Sequence, residues 1–194
     1  MNCSDECSYN VKVINHRLLL YNDPKSKIVI RLGCLYDVNS LVELNQLWFK
    51  LNVKNIENGF LSIAYDDSFF INIINNNDLI VFTNKNKIEG YVLINTVIRT
   101  SHVDNLKTEY FINRIESQSK KIAFSYQILI NKSFQGTGFF YKAQKEYFKH
   151  FKKKYDLLVS TVSKENIRSI KAHKKAGWTF IDTSKNYFII QYFL

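Results

Sequence analysis

The chain has 194 residues, 46% of them hydrophobic and 23% charged; this is the mix of an ordinary globular domain and excludes disorder over most of its length. One proline and six glycines exclude collagen-like and linker-rich architectures, and no stretch approaches the roughly 18 apolar residues that cross a bilayer. The net charge of +10 is uneven, since residues 120–194 hold 15 Lys/Arg against 4 Asp/Glu, and residues 1–119 hold 12 against 13; an anionic ligand, nucleic acid or an acidic surface suits such a field.

Residues 1–26 read as an N-terminal extension, a strand over Val11–Leu20 or irregular chain. Met1-Asn2-Cys3-Ser4-Asp5-Glu6 lacks the basic and apolar regions of a signal peptide, so a cytoplasmic location with no membrane partner is expected. Cys3, Cys7 and Cys34 make no disulfide framework. Cys3 and Cys7 could ligate a metal, but no second pair or His-x-His completes a site, and none is expected.

Residues 27–194 read as one domain. Lys27–Leu35 is rich in Ile and Val and reads as a strand. Asp37 is placed to cap a helix whose apolar face carries Leu41, Leu44, Trp48 and Leu51. Asp66 and Asp67 precede a second helix bearing Phe69, Phe70, Ile73 and Ile74, which Asn75-Asn76-Asn77-Asp78 ends. Leu79–Thr83 and Ile88–Val97 form a hairpin around Asn84-Lys85-Asn86-Lys87. Residues 98–121 read as a loop with a helix at 104–116. Ile122–Ile130 is a strand. Residues 138–154 form an amphipathic helix, with Phe140, Ala143, Tyr147 and Phe151 on one face and Lys142, Lys145, Lys149 and Lys152 on another. Leu157–Val162 is a strand and Asn166–Ala176 a helix, with Gly177 at the left-handed C-terminal position. Trp178–Thr183 and Tyr187–Phe193 close the chain as an antiparallel pair; the last is apolar enough for a dimer interface or the core, so a monomer or a homodimer is expected. The order from residue 27 is β-α-α-β-β-β-α-β-α-β-β. It predicts a mixed α/β (α+β) class with a mixed sheet, because hairpins and crossover helices both occur.

The segment Ile128-Leu129-Ile130-Asn131-Lys132-Ser133-Phe134-Gln135-Gly136-Thr137-Gly138-Phe139-Phe140 is strand, short loop, two glycines, then helix. The free N–H groups and dipole of a helix start, with glycines that let backbone approach closely, make an anion site. It is neither a Walker A loop, lacking Gly-Lys-Ser/Thr at the required spacing, nor a dinucleotide fingerprint, lacking the third glycine.

Gln135 through Phe140 resembles the Gln/Arg-x-x-Gly-x-Gly/Ala signature of the GNAT superfamily of acyl-CoA-dependent N-acyltransferases. Gln135 and Gly138 fit, and Phe140 departs from Gly/Ala. A second register puts Ser133 first and keeps Gly136 and Gly138. The stretch from Val162 through Asn166, Ser169, His173 and Gly177 to Trp178 is similar to that family's strand-Asn-helix-Gly-aromatic segment at every named position. Ile30-Arg31, followed by Asp37 and a helix, resembles its first strand and helix, so the likeness covers residues 28–194.

The resemblance implies a mostly antiparallel mixed sheet, flanked by helices, whose fourth and fifth core strands splay. Acetyl-CoA would be the co-substrate and an amine, on a small molecule or a protein, the acceptor. Pantetheine would pair with Ile128, Leu129 and Ile130, with a backbone N–H near Leu129 or Ile130 meeting the oxyanion. The pyrophosphate would sit on Gln135, Gly136, Thr137, Gly138, Phe139 and Phe140, and Asn166 and Ser169 would contact the cofactor arm. CoA carries roughly four negative charges, which suits Lys132 and Lys142 beside the loop. His173 would protonate the leaving thiolate. Tyr126 is a second catalytic candidate, Gln127 a polar neighbour and Glu89 a distant base. Glu57, Asp66 and Asp67 are placed to attract a cationic amine. A non-catalytic CoA-binding protein is an alternative. A nucleic-acid-binding module is a further one, opposed by lysines that follow a helix face rather than interleaving with aromatics on a sheet.

Overall fold

The computed structural model describes residues 19–23, 28–49, 60–61, 63–95 and 121–194. Eight strands form one sheet: β1 (Leu19–Asp23), β2 (Ile28–Leu32), β3 (Leu79–Asn84), β4 (Lys87–Asn95), β5 (Ile122–Ile130), β6 (Leu157–Ser163), β7 (Thr179–Thr183) and β8 (Tyr187–Phe193). Four helices flank it: α1 (Val38–Trp48), α2 (Asp67–Asn75), α3 (Phe139–Phe151) and α4 (Ile167–Lys175). From β2 onward this is the element order expected from the sequence. The extension contributes an edge strand at Leu19–Asp23, and residues 11–18 of the expected strand lie outside the described residues. The expected helix at 104–116 also lies outside them, as do Leu51, Glu57 and both N-terminal cysteines. Among the described residues no helix is long and apolar enough to cross a membrane.

The sheet order is β1-β2-β3-β4-β5-β6-β8-β7, antiparallel everywhere except between β5 and β6. The β3–β4 hairpin closes more tightly than a four-residue turn. Lys85 and Asn86 both have positive φ, 49° and 66°, the two-residue geometry that matches strand twist, and Asn84 and Lys87 pair as strand residues. β8 lies between β6 and β7 with Ile189 and Ile190 fully buried, so the apolar final strand belongs to the core.

The sheet has an apolar core on each face. Leu41 and Leu44 of α1, Phe70 and Ile73 of α2, Leu61 and Tyr65 pack on Val81, Tyr91, Leu93 and Leu129. On the other face Phe139, Ala143, Tyr147 and Phe151 of α3, with Trp178, pack on Ile80, Phe82, Val92 and Ile130. Asp37 is buried, but its carboxylate does not cap α1. It forms two hydrogen bonds with Arg31, at 2.7 and 2.8 Å, and accepts from the Cys34 N–H at 2.8 Å. Asp66 does cap α2, accepting from Phe69 N–H at 2.9 Å.

β4 passes close to β5 at Gly90, where a Cβ would lie 2.3 Å from the Leu129 carbonyl oxygen and 3.0 Å from Phe82. Both obstacles are held by the sheet and its core. Gly90→Ala is therefore expected to cost about 1–3 kcal/mol by overpacking. Thermal unfolding should show this as a Tm lower by several degrees; an unchanged Tm would mean that β4 and β5 separate easily here.

Candidate functional site: a split between two parallel strands

β5 and β6 pair only over Ile122↔Leu157, Ala123↔Leu158 and Phe124↔Val159. The register of β5 against β4 slips between Gln127 and Ser125, leaving Tyr126 as an extra residue. Such a bulge bends and twists a strand, and this one falls just where β5 leaves β6. At the apex Ser160 Oγ donates to the Ser125 carbonyl at 2.6 Å, and Tyr147 OH donates to Ser125 Oγ at 3.0 Å. Beyond it lies a cleft of about 660 Å³.

Strand alternation decides which main-chain groups face the cleft. Asn131 N–H donates to the Glu89 carbonyl at 2.7 Å. In an antiparallel ladder every second residue exchanges such bonds, so Leu129, paired with Tyr91, turns its N–H and C=O to β4. Ile128 and Ile130 turn theirs toward the cleft. Leu129 lines the cleft, but the expected main-chain pairing falls to its two neighbours.

The glycine loop closes one end. A 3-10 turn at Lys132–Phe134 leads through Gly136 and Gly138, both with φ of 80°, into α3, for which Gly138 is the N-cap. Glu89 Oε2 accepts from Asn131 Nδ2 at 2.7 Å and so braces the start of this loop; it does not line the cleft. Gln135 Nε2 donates to the Ile130 carbonyl at 2.8 Å, while its Oε1 is buried without a partner. Among the described residues the N–H groups of Gly136, Thr137, Gly138, Phe140 and Tyr141 have no acceptor. These donors at a helix start, beside an orphaned acceptor, suit a ligand with anionic oxygens and an amide N–H.

Not every expected loop residue faces the cleft. The Phe139 side chain turns to the core, edge-on to Phe82 with centroids 5.6 Å apart. Thr137 is exposed; its Oγ1 donates to the Phe134 carbonyl at 2.7 Å and accepts from Phe139 N–H at 3.3 Å. Phe140, at the position where Gly or Ala was expected, lines the cleft and reaches His173 of α4, with ring centroids 5.8 Å apart. Lys132 and Lys142 are exposed and do not line it.

On the opposite wall Asn166 caps α4, accepting from Ser169 N–H at 3.0 Å, and its Nδ2 donates to the Phe60 carbonyl at 3.0 Å. His173 is buried, and its Nδ1 sits 2.8 Å from the Ser169 carbonyl and 3.2 Å from Ser169 Oγ. Burial drives its pKa down to about 4. A carbonyl can only accept, so Nδ1 carries the proton and Nε2 a lone pair. At pH 7 this imidazole is neutral, an acceptor rather than the acid expected from the motif. Tyr126 supplies the bulge with its main chain; its side chain lies outside the described residues.

One part of the site was missed in the sequence. Asn45 Nδ2 donates to Tyr91 OH at 2.7 Å and to Gln127 Oε1 at 3.0 Å, and Tyr91 OH donates to Gln127 Oε1 at 2.9 Å. Gln127 Nε2 donates to the Ile63 carbonyl at 2.8 Å, and Asn45 Oδ1 accepts from Tyr65 N–H at 2.8 Å. All three side chains are buried. They fix the segment through Ile63 and Tyr65 on the sheet, and Asn166 holds its Phe60 end on α4. The available signal was Asn45 itself, a polar residue inside the apolar stripe of Leu41, Leu44 and Trp48.

The fold is one already known from solved structures. The chain is similar to the PaiA N-acetyltransferase from Thermoplasma acidophilum in complex with coenzyme A, at TM-score 0.62 and 15% identity over 86% of this chain and 99% of that one. It is similar to an acetyltransferase of the GNAT family from Listeria monocytogenes, at TM-score 0.61 and 12% identity over 86% and 95%. YncA from Salmonella typhimurium with acetyl-CoA matches at TM-score 0.59 and 14% identity over 87% and 94%. No family model and no curated protein matches the sequence. The chain thus has the GNAT fold, and identities of 12–15% show the fold alone.

Two measurements probe the buried groups. Asn45→Leu leaves the Tyr65 N–H and part of the Tyr91–Gln127 pair unsatisfied, and is expected to cost about 1–3 kcal/mol for each stranded group, read by chemical denaturation. His173 is held neutral in the folded chain, so its contribution to stability is complete above the ordinary value of 6.5 and is lost as pH falls toward about 4. Asp78, whose carboxyl burial raises to about 6, works oppositely, losing its contribution as pH rises through that value. The Tm advantage of the natural chain over His173→Gln should therefore shrink from pH 6.5 to pH 4.5, whatever the slope of either protein alone.

Proposed function

We propose that the protein is an acyl-CoA-dependent N-acetyltransferase that uses acetyl-CoA to acetylate a primary amine. The observation that carries this reading is the split between β5 and β6, which runs from the cleft-facing main-chain groups of Ile128 and the Ile130 N–H to the N–H groups of the glycine loop that have no acceptor among the described residues. An extended pantetheine arm offers amides for the first set and a pyrophosphate for the second. The GNAT fold of the chain and the coenzyme A or acetyl-CoA in two of the similar structures support the same co-substrate.

In the reaction the amine nitrogen attacks the thioester carbonyl carbon, the C–S bond breaks and its electron pair leaves on sulfur. Negative charge develops on the carbonyl oxygen, where a preorganised N–H stabilises it most. Ile128, just past the bulge, supplies that donor. The amine must shed a proton before or during attack. Neutral His173, held in one tautomer by Ser169, is an acceptor on the cleft wall. Tyr126 is the second catalytic candidate. Asn166 acts by holding the Phe60 segment against α4 rather than by spending its amide on the cofactor arm.

A non-catalytic CoA-binding protein is the second reading. It is favoured by Phe140, which reaches across to His173 at the helix start, and by the lack of any carboxylate lining the cleft among the described residues. Binding without turnover of any amine would select it.

Acetyl-CoA at 100 times its dissociation constant should stabilise the chain by about 2.7 kcal/mol, roughly 5–11 °C in Tm for a chain of this size; AMP should give no shift. Gly138→Val, which forces a side chain into a left-handed conformation beside the loop donors, should weaken acetyl-CoA binding about tenfold or more. Absence of any shift at millimolar acetyl-CoA would remove the reading.

A further inference from the structure

The cleft passes through the sheet. On the α3 and α4 face it is bounded by the glycine loop, Phe140 and His173; on the α1 and α2 face by Trp48, Phe49, Phe60, Leu61 and Ile63. The anion-binding N–H groups lie at the first mouth. The second mouth is the one left for a reaction partner, and its wall is apolar and aromatic.

Charge at the cleft is sparse. Among the described residues that line it, Arg168 on α4 is the one permanently charged side chain, and none is acidic. Of the carboxylates expected to draw in a cationic acceptor, Glu57 lies outside the described residues and the other two stand away from the cleft. Asp66 is exposed and occupied with Phe69 N–H and Ser68 Oγ, and neither it nor Asp67 lines the cleft. A polycation against the described wall residues would shed water without a counter-charge among them to replace it. An aromatic or branched aliphatic group would instead remove apolar surface from water on both sides.

The wall is also fixed. Phe60 is held to Asn166, Leu61 N–H donates to the Trp48 carbonyl at 2.8 Å, Ile63 is held to Gln127 and Tyr65 to Asn45. Four hydrogen bonds to main-chain atoms of Phe60, Leu61, Ile63 and Tyr65 fix the backbone that carries these side chains. Trp48 adds a specific group: its indole Nε1 is buried without a hydrogen-bond partner.

Resting on the acetyltransferase reading, we infer that the acceptor is a monoamine carried on an aromatic or bulky aliphatic group, selected by the wall of Trp48, Phe49, Phe60, Leu61 and Ile63. The amine reaches the thioester through the split while its apolar body stays against the wall.

The test uses the full chain with saturating acetyl-CoA and follows release of the CoA thiol. Phenethylamine and tryptamine are compared with spermidine and kanamycin. The arylalkylamines should show kcat/KM at least about tenfold higher, the scale on which apolar pockets discriminate. 2-Phenylethanol, which keeps the apolar body and lacks the amine, should inhibit competitively against phenethylamine. Phe60→Ala should raise KM for phenethylamine about tenfold and leave KM for acetyl-CoA unchanged. The inhibition result stands even if that variant fails to fold. Preference for spermidine or kanamycin, or acetyl-CoA binding with no turnover of either arylalkylamine, overturns the inference. So does a preference for octanoyl-CoA over acetyl-CoA with every amine, which would assign the wall to the acyl chain. Calorimetry with acetyl-CoA on the same sample separates the two levels: no binding defeats the acetyltransferase reading itself, whereas binding with polycation preference defeats only the acceptor class.

Discussion

Parallel pairing between β5 and β6 stops after Phe124 and Val159, and the rest of the site follows from that break. A strand in the middle of a sheet normally has both rows of main-chain groups paired, because an unpaired buried N–H or C=O is costly. Here Ile128 and Ile130 turn theirs into an opening. The break is built in by the chain itself. The extra residue at Tyr126 shifts β5 by one position, so that Ser125 faces the α3 side while Gln127 faces the α1 and α2 side. Ser160 then pins the apex through the Ser125 carbonyl, so the strands stay joined below the split.

The same bulge creates the second mouth. By turning Gln127 toward α1 it brings that side chain to Asn45, Tyr91 and the Ile63 carbonyl. A buried amide network is stabilising only when its members are satisfied, and satisfying these fixes the segment that walls the cleft. Burial raises the Tyr91 hydroxyl far above its usual range, so it stays protonated and donates to Gln127 Oε1. One added residue in one strand thus opens the sheet and supplies the anchor for the wall opposite the glycine loop.

The element order was legible because each element announces itself locally. α1 and α3 have apolar faces at helical spacing, Asp66 and Asn166 cap the helices they precede, and Gly177 takes a φ of 87° at the end of α4. The glycine loop was legible for the same reason. What could not be read are consequences of distance along the chain. Asn166 meets Phe60 across 106 residues and Asn45 meets Gln127 across 82, and nothing in local pattern joins them. A bulge changes which face a residue occupies without changing its neighbours in sequence. The turn of Phe139 into the core and the neutral state of His173 likewise depend on what packs around them. Asp37 shows a local rule overridden: at a capping position, it is drawn to the Arg31 guanidinium instead.

The positive charge of the C-terminal part acts differently from the loop. Lys142, Lys145, Lys149 and Lys152 are exposed on the outer face of α3, and none lines the cleft. Charges so placed are screened over about 8–10 Å in physiological salt, which makes them a field for drawing in an anion rather than contacts that hold it. In the proposed reading, holding falls to the main-chain N–H groups of Gly136, Thr137, Gly138, Phe140 and Tyr141. That division would let an anion-attracting face coexist with a cleft whose described lining carries Arg168 as its one charged side chain. In that reading attraction operates at a distance on the α3 side, close recognition there uses neutral donors, and the described wall of the far mouth offers apolar side chains to a partner of a different chemistry.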